Sequence, residues 1–331
     1  MVQTSDVSVR LDERIRLMST LLAGTDWPDR ALARKPHGLH AHARAARKYL
    51  QPYRQHSALR VLQALIDRGA PAEALFALAT RFTWPGLEDR ALPSWVPPGW
   101  PDALRDLVRT AALDSWLQSQ DAAWQTSINA ARRALEGVTF KPFLAPFLGA
   151  IPEDLIFVPN IGQPSDQEVA VRAGRSLVSI TPPRIAWGDN PPWPFDDDPA
   201  YVIRAALACY IRLALTPFLN THAERVAAAS KTALPVSEDY ARAYPTWQAQ
   251  FANLFVSGLV ALYLEEHVSE REANAFVLME TKVYGVALLP ATVRVLRRYR
   301  DEAATGRYQS FAAFLPLFPK QLRVVRRIVS L

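Results

Sequence analysis

Histidine and carboxylate side chains in the C-terminal half are the residues whose types best fit metal chemistry. His222 and Glu224 lie two positions apart, and Glu266 and His267 are neighbours in a later segment. Imidazole and carboxylate groups are suitable zinc ligands, and bound zinc activates water for hydrolysis. However, His222 has no histidine four residues away, and the segment YLEEHVSERE is typical of a solvated helix end. A hydrolase with this displaced metal site is therefore an alternative prediction.

Two other clusters contain metal-binding residue types. The segment HGLHAH brings His37, His40 and His42 together among arginine and lysine residues, which favours a surface segment where a helix begins. The three aspartates at 196–198 precede Pro199. Proline is favoured at the first position of a helix, and carboxylates near that end are stabilised by the helix dipole. We therefore interpret both clusters as helix starts rather than as metal sites.

Arginine supplies most of the positive charge. The formal net charge is +6, and lysine accounts for only six of the 38 basic residues. Helical spacing places Arg294, Arg297 and Arg298 on one face, which makes them candidates for contact with an anionic partner. A second group follows at Arg323, Arg326 and Arg327. Solvated faces with local ion pairs are the simpler interpretation, and a basic nucleic-acid-associated protein is a further alternative.

The spacing of apolar residues predicts the elements that position these side chains. Apolar residues recur at helical spacing over residues 15–22, and Gly24 ends that segment. Pro52 and Gly69 break and then end the next two predicted helices. Residues 102–136 keep helical periodicity with no internal proline, which predicts one long helix or two stacked helices.

The middle of the chain changes to strand-like segments. LIFVPN, EVAVRA and RSLVSI are short and rich in β-branched residues, with Ala173-Gly174 as the expected hairpin turn. The proline-rich stretch TPPRIAWGDNPPWPFDDDPA predicts a long loop, and helices resume at about residue 199. This order predicts an α+β, predominantly helical fold with a small antiparallel sheet in the middle. We expect an N-terminal helical region at 1–140 and a region at 141–331 that contains the sheet, packed as one compact unit.

The composition is ordinary for a soluble chain. Half of the residues are hydrophobic, and the sequence shows no run of about 18 apolar residues, so we expect no membrane-spanning helix. The start MVQTSDVSVRLDER lacks the apolar core of a signal peptide, which predicts a cytoplasmic location. Cys209 is the only cysteine, so an intrachain disulfide and a zinc site of several thiolates are excluded. The chain also lacks the Walker, GxGxxG and GxSxG motifs.

Four segments, in order along the chain, resemble one protein family. They are QPYRQHSALRVLQALIDRGAPAEALFAL (51–78), TPFLN (216–220), WQAQFANLFVSGLVALYL (247–264) and LRRYRDEAATGRYQSFAAFLPLF (296–318). The family is a bacterial domain of unknown function regarded as gluzincin-like zinc metallopeptidases. Its members share a central strand-bearing section, a metal helix of the type HEFxHxFVNP and a later helix of the type ExxVRA. The resemblance implies a metallopeptidase-like helical scaffold.

The resemblance also implies which residues stand at the metal site. Matching the metal helix onto FLN puts the two zinc histidines on Arg212 and Thr216, and the general base on Leu213. The glutamate ligand of the later helix falls on Asn253. In HExxH enzymes the histidines hold zinc and the glutamate takes a proton from the metal-bound water. None of these residue types is kept, which implies a degenerate site with no zinc and no other cofactor.

Binding rather than hydrolysis is the function that this pattern predicts. We expect a catalytically inactive protein that holds a peptide, a small ligand or another protein in the vestigial cleft between helices 204–228 and 247–266. Trp187 and Trp193, in the loop before the metal helix, and Asn220 are candidates for the wall of that cleft. An arginine at position 212 would be a buried charge, which predicts a carboxylate partner left in the cleft. Nucleic acid is not the expected partner.

Overall fold

Helices make up 63% of the chain, and one small four-stranded sheet accompanies them, which confirms the predicted α+β, mainly helical fold class. The chain divides into two compact units. The first unit combines Met1–Val138 with Glu153–Cys209, and the second combines Thr139–Pro152 with Tyr210–Leu331. The computed structural model describes residues 5–32, 40–88, 91–163, 165, 167–184 and 193–329.

The first unit holds the sheet and the N-terminal helices. Its strands are β1 (Val7–Val9), β2 (Asp154–Pro159), β3 (Val169–Ala173) and β4 (Ser176–Thr181). Its helices, with a 3₁₀ turn at Gln51–Tyr53 between the third and the fourth, are α1 (Glu13–Ala23), α2 (Trp27–Leu32), α3 (Ala41–Leu50), α4 (Ser57–Asp67), α5 (Ala72–Ala79), α6 (Trp100–Thr110), α7 (Leu113–Ser119) and α8 (Asp121–Ala134). The sheet therefore belongs with the N-terminal helices.

Most predicted helix ends are confirmed, and one prediction is corrected. Gly24 ends α1, the turn with Pro52 separates α3 from α4, and Gly69 follows α4 with a φ of 86°. The stretch predicted as one or two helices forms three, because Ala112 adopts a left-handed conformation between α6 and α7 and a second break follows Ser119. Alanine rarely takes that conformation, so the sequence carries no signal for the first break.

The sheet is mixed rather than antiparallel, which corrects the prediction. The strand order is β1-β2-β4-β3, with β1 parallel to β2, β2 parallel to β4, and β3 antiparallel to β4. The predicted hairpin is present, with its turn one residue later, at Gly174-Arg175. The local pattern identified the three consecutive strands but could not show that β2 pairs with β4 in parallel or that the short β1 joins the edge.

Both faces of the sheet are covered. Ile156 and Val158 of β2 belong to a core that also includes apolar side chains of α1, α4, α5 and α6. On the other face, the ring of Phe157 meets that of Phe195 edge-on at 6.0 Å. Parallel strands that are buried on both faces have continuous runs of apolar residues in their sequence. This explains why β2 contains four apolar residues in succession, LIFV.

The second unit is helical throughout its described residues. It contains α9 (Lys141–Leu148), the end of α10 (Pro199–Thr221), α11 (Ala223–Ser230), α12 (Glu238–Ala243), α13 (Trp247–His267), α14 (Glu270–Lys282), α15 (Leu289–Ala304), α16 (Phe311–Phe314), a 3₁₀ turn at Leu315–Leu317, and α17 (Phe318–Val329). Residues 254–264 of α13 are all buried, so this helix forms the centre of the unit. A Cβ at Gly258 would lie 2.7 Å from Leu296 Cδ1 and 2.9 Å from Thr292 Cγ2, so glycine allows α15 to approach α13 closely.

One described helix, α10, is long and apolar enough to cross a membrane by length and composition. The central helix of a soluble protein passes the same test, and 56% of the most apolar stretch of α10 is buried inside the protein. This helix is therefore weak support for a membrane span. Arg204 and Arg212 interrupt its apolar residues, so the sequence shows no run of about 18 apolar residues there.

Candidate functional site

The second half of α10 carries the positions that the resemblance assigns to the metal helix. Arg212 and Thr216 are exposed and lie one turn apart on the same side, whereas Leu213 is half-buried. The Thr216 hydroxyl donates to the carbonyl oxygen of Arg212 at 3.5 Å. After Leu215 most residues of the helix face solvent, and it ends at Thr221. The predictions of one continuous helix over 204–228 and of a buried charge at position 212 are therefore wrong.

Asn253, at the position of the family's glutamate ligand, lies on α13. This helix begins at Thr246, whose hydroxyl accepts a hydrogen bond from the backbone N–H of Ala249 at 3.1 Å. Asn253 is half-buried, and its Oδ1 accepts a hydrogen bond from the phenol of Tyr240 at 2.7 Å. The same hydroxyl lies 3.3 Å from the carbonyl oxygen of Gln250. The amide is therefore held by a neighbouring phenol.

Two tyrosines of α12 and its C-terminal end complete this region. The ring centroids of Tyr240 and Tyr244 are 4.8 Å apart. Ser237 caps α12 by accepting a hydrogen bond from the backbone N–H of Tyr240, and the Gln250 side chain donates to the carbonyl oxygen of Tyr244 at 3.0 Å. These bonds fix the end of α12 beside α13. The sequence analysis missed both tyrosines. The signal in the sequence is that the two tyrosines of YARAY are four residues apart, just after a serine that can cap a helix, which predicts that they lie on one helical face.

Arg212 and Asn253 both affect the pKa of Tyr244. Burial raises the pKa of Tyr244 and the Glu280 carboxylate raises it further, whereas the Arg212 guanidinium and a hydrogen bond with Asn253 lower it. Burial also raises the pKa of Tyr240, with contributions from Tyr244 and Glu280. Side chains from α10, α13 and α14 therefore influence the pKa of one phenol. We call the five residues Arg212, Tyr240, Tyr244, Asn253 and Glu280 the Asn253 cluster.

The chemistry available to the Asn253 cluster is recognition. Its guanidinium donates hydrogen bonds and carries a fixed positive charge, and its two phenols are protonated at neutral pH, since tyrosine has an ordinary pKa of 10 and burial raises the pKa of both. Zinc hydrolysis requires a set of ligands around one ion with a base beside the bound water. In the part of the chain that the structure describes, three or more His, Cys, Asp or Glu side chains are nowhere grouped to hold a metal ion.

A small pocket adjoins Tyr240. Val236, Leu254 and Leu288 contribute to its lining, and its volume of about 10 Å³ has room for one water molecule. Pockets for drug-sized ligands measure roughly 300–1,000 Å³. A ligand of the Asn253 cluster would therefore lie on the exposed surface beside Arg212 and Thr216, outside this pocket.

The four residues of the displaced metal site do not form a three-ligand group. The ring of His222 packs against a phenylalanine one turn earlier, with centroids 4.7 Å apart, and Glu224 is exposed. Glu266 forms a salt bridge of 2.5 Å with an arginine of α15. His267 stacks on a tyrosine of its own helix at 4.4 Å. Each of these contacts suits a residue at a helix end.

The two other clusters lie at helix starts, as predicted, but one is not on the surface. His40 is buried, and its Nε2 lies 2.8 Å from the carbonyl oxygen of Gln163, which corrects the prediction of a surface segment. Burial lowers the pKa of His40 to about 4. His37 lies outside the described residues. Asp198 precedes α10 and accepts a hydrogen bond from the backbone N–H of Tyr201 at 3.0 Å.

The arginine group on α15 is partly neutralised. Arg297 pairs with Glu265, and Arg298 pairs with Glu302 at 2.9 Å. Arg294 is exposed. Local ion pairs therefore account for two of the three arginines, as the simpler interpretation predicted.

The predicted cleft wall is divided between the units. Trp193 belongs to the first unit, is 47% exposed, and has the guanidinium of Arg184 at 5.8 Å from its ring centroid. Asn220 is exposed on α10 in the second unit, where the Asn253 cluster also lies. Trp187 lies outside the described residues. Asn220 is therefore the member of this group that we retain for the site.

Comparisons of the chain with protein-family models, with curated proteins and with solved structures find no match. The resemblance to gluzincin-like metallopeptidases rests on the four segments given above and stays a prediction.

Proposed function

We propose that the protein is a non-hydrolytic binding module on a metallopeptidase-like scaffold, with the Asn253 cluster in the place of a zinc site. Two observations carry this proposal: Arg212 and Asn253 both lower the pKa of Tyr244, and the Tyr240 hydroxyl donates to Asn253 at 2.7 Å. In a gluzincin-type site, ligands from the metal helix and from the later helix bind one ion and therefore lie close together. Sequence matching alone assigned Arg212 and Asn253 to those positions, so their shared effect on the pKa of one phenol supports the match of the metal helix to residues 212–220.

The residues at these positions oppose zinc chemistry. Leu213 stands where the base would be, and an aliphatic side chain cannot accept a proton from water. Arg212 places a permanent positive charge at the position of a zinc ligand, which repels a divalent cation. Asn253 offers a neutral amide that already accepts a hydrogen bond from Tyr240. The site therefore suits recognition of a ligand through hydrogen bonds and charge.

A peptide or protein segment that carries a carboxylate is the ligand class that fits best. Arg212, Thr216 and Asn220 recur every four residues and are all exposed, so they form a continuous strip along α10. Arginine binds carboxylates through two parallel hydrogen bonds. The pocket beside Tyr240 is too small for an enclosed ligand, which favours an extended partner on the surface. A cytoplasmic location is part of the same proposal.

Rebuilding the metal site tests the scaffold. A variant with Arg212→His, Leu213→Glu, Thr216→His and Asn253→Glu restores both histidines, the base and the third ligand. We expect this variant to bind close to one equivalent of zinc, measured by mass spectrometry after dialysis against zinc, because two histidines of α10 and a glutamate of α13 would supply the three protein ligands of a catalytic zinc site. The matched control is Gln125→His with Asn129→His on α8, an exposed i, i+4 pair without a third ligand. If the variant binds no more zinc than the control does, the match of the family's metal helix to residues 212–216 is wrong.

An array of acidic and basic peptides tests recognition. We expect the wild-type protein to bind acidic peptides, and Arg212→Glu to lose that binding because the guanidinium is replaced by a like charge. Arg242→Glu, at an exposed arginine of α12 in the same unit, is the control and should retain binding. An equal loss of peptide binding in the two variants would contradict the proposal that the exposed strip on α10 binds acidic peptides. A preference of the wild-type protein for basic peptides would contradict it as well.

A further inference from the structure

The outer side of α17 combines positive charge with exposed aliphatic side chains. Lys320 and Arg323 are exposed, and Val324 beside them is 52% exposed. The opposite side of the helix is fixed in the core, because Phe318 and Leu322 are fully buried. The orientation of α17 is therefore set, and its outer side is presented to solvent.

Basic residues continue on both flanks of α17. On one flank, Arg298 of α15 donates to Gln321 Oε1 at 3.2 Å. On the other flank, Arg323 donates to the carbonyl oxygen of Ala233 at 3.0 Å, two residues after the exposed Lys231. The positive surface therefore extends across three elements of the second unit.

The balance of charge on this surface is positive. The sequence of α17, FPKQLRVVRRIV, contains four basic residues and no acidic residue. Glu302 is a carboxylate beside this region, where it pairs with Arg298 and Arg307, and its side chain is 19% exposed. It offsets the charge of Arg298, whereas Lys320 and Arg323 are exposed and keep their positive charge at this surface.

The exposed aliphatic side chains decide which anionic partner fits. Nucleic acid needs positive charge and hydrogen-bond donors, whereas a bilayer surface also takes apolar side chains into the boundary between head groups and acyl chains. Val324 lies among the basic residues, and Leu317 in the preceding turn is 36% exposed. We propose that α17 docks the protein on an anionic lipid bilayer, with Lys320 and Arg323 on the head groups and Val324 and Leu317 at the acyl boundary. This surface is separate from the Asn253 cluster, so the proposal does not depend on the proposed function.

The expected binding is weak and reversible. Each basic residue near an anionic bilayer strengthens binding by about fivefold. Removing two charges with Lys320→Ser and Arg323→Ser should therefore lower the partition coefficient by roughly 25-fold. Val324→Ser should lower it by about fivefold, because one small aliphatic side chain loses its apolar contact. High salt should weaken wild-type binding through screening.

Vesicle co-sedimentation tests the proposal with the full chain. The vesicles contain phosphatidylcholine with about 30% phosphatidylserine, or phosphatidylcholine alone, at about 0.1 M salt. The matched control is Arg60→Ser with Arg68→Ser, two exposed arginines of the first unit. Circular dichroism checks that each variant is folded. We expect binding to the anionic vesicles, retained in the control and reduced by both sets of α17 substitutions.

Three results would overturn the proposal. The first is no sedimentation with phosphatidylserine vesicles, and the second is an equal loss in the control. The third is a loss with the charge variants but none with Val324→Ser, which would indicate simple anion attraction. In the third case, competition by inorganic phosphate or tighter binding to duplex DNA would identify the source of the anionic chemistry.

Discussion

Each unit contains an asparagine at the centre of a polar network, and the two asparagines differ in burial. Asn160 follows β2 in the first unit and is fully buried, and its Nδ2 donates to Ser19 Oγ at 2.7 Å and to Gln163 Oε1 at 3.1 Å. Asn253 in the second unit is half-buried and accepts a hydrogen bond from Tyr240. The buried amide connects elements of the core, whereas the half-buried amide is partly accessible to solvent.

The network around Asn160 connects several elements of the first unit. The backbone N–H of Asn160 donates to the carbonyl oxygen of Thr181 at 2.8 Å, and Ser19 donates to the carbonyl oxygen of Ile15 in α1. His40, at the start of α3, reaches the same loop through Gln163. Buried polar groups cost stability when they lose a partner, so this network should be the more sensitive of the two.

The largest effect that we expect is a loss of stability in acid, caused by His40. Its folded pKa of about 4 is below the ordinary value of 6.5, so the unfolded chain binds more protons between these values. The contribution of His40 is present above pH 6.5 and is lost as the pH falls towards 4, by about 3 kcal/mol in total. Burial lowers the pKa of His42 as well, so its effect has the same sign.

Urea unfolding at several pH values checks this prediction. His40→Asn keeps a side-chain acceptor for the start of α3 and removes the titrating group, so its unfolding free energy should vary less between pH 4 and 6.5. Carboxylates contribute equally to the pH dependence of stability in the wild type and the variant, so their contribution cancels when the two unfolding free energies are subtracted. Identical pH profiles for the wild type and the variant would show that His40 is not the source.

The direct test of the comparison is the same substitution in both networks. Asn160→Ala should lower the free energy of unfolding by about 2–3 kcal/mol, because buried partners lose hydrogen bonds. Asn253→Ala should cost about 1 kcal/mol, since Asn253 is half-buried and water can enter the place that its amide leaves. Chemical denaturation measures both, with Asn129→Ala on the exposed side of α8 as the control. Equal costs would remove the distinction between the two asparagines.

Packing should be the sensitive feature of the second unit. Gly258→Ala would push a Cβ into Leu296 and Thr292, which are fully buried, and should lower the free energy of unfolding by about 2 kcal/mol. Leu296→Ala in the same chain should relieve part of this cost, so the two substitutions should not add. Thermal unfolding of the single and double variants checks this, and strict additivity would argue against the close approach of α13 and α15.

The smallest effect concerns the phenol that holds Asn253. Tyr240→Phe keeps the ring and removes the hydroxyl that donates to Asn253, so the loss should be about 1 kcal/mol. Combined with Asn253→Ala, the second substitution should add little, because the bond is already lost. A double-mutant cycle by chemical denaturation measures this coupling. Independent effects would mean that the bond does not stabilise the cluster.

The sequence predicts the parts of the fold that have local signals. Gly24, Pro52 and Gly69 mark helix ends, and β-branched segments mark the three consecutive strands. The parallel pairing of β2 with β4 and the edge strand β1 have no local signal, because pairing between distant segments depends on tertiary contacts. The break at Ala112 is hidden for another reason, since alanine is a good helix former.

The members of the Asn253 cluster differ in how far the sequence points to them. The resemblance identified Arg212, Leu213, Thr216 and Asn253, but not the tyrosines, because α12 lies outside the matched segments. The predicted burial of Arg212 failed because the helix is apolar in its first half and faces solvent in its second. Charge and spacing cannot show where a helix leaves the core.

The zinc content of the wild-type protein tests the central claim most directly. Tag-free protein, purified without chelator, would be measured by mass spectrometry for zinc, manganese, iron and nickel. If the Asn253 cluster has replaced the metal site, each metal should be below about a tenth of an equivalent, since Arg212 and Asn253 supply no anionic or imidazole ligand. Close to one equivalent that is lost on mutation of His222 or His267 would contradict the account and show that the metal site moved.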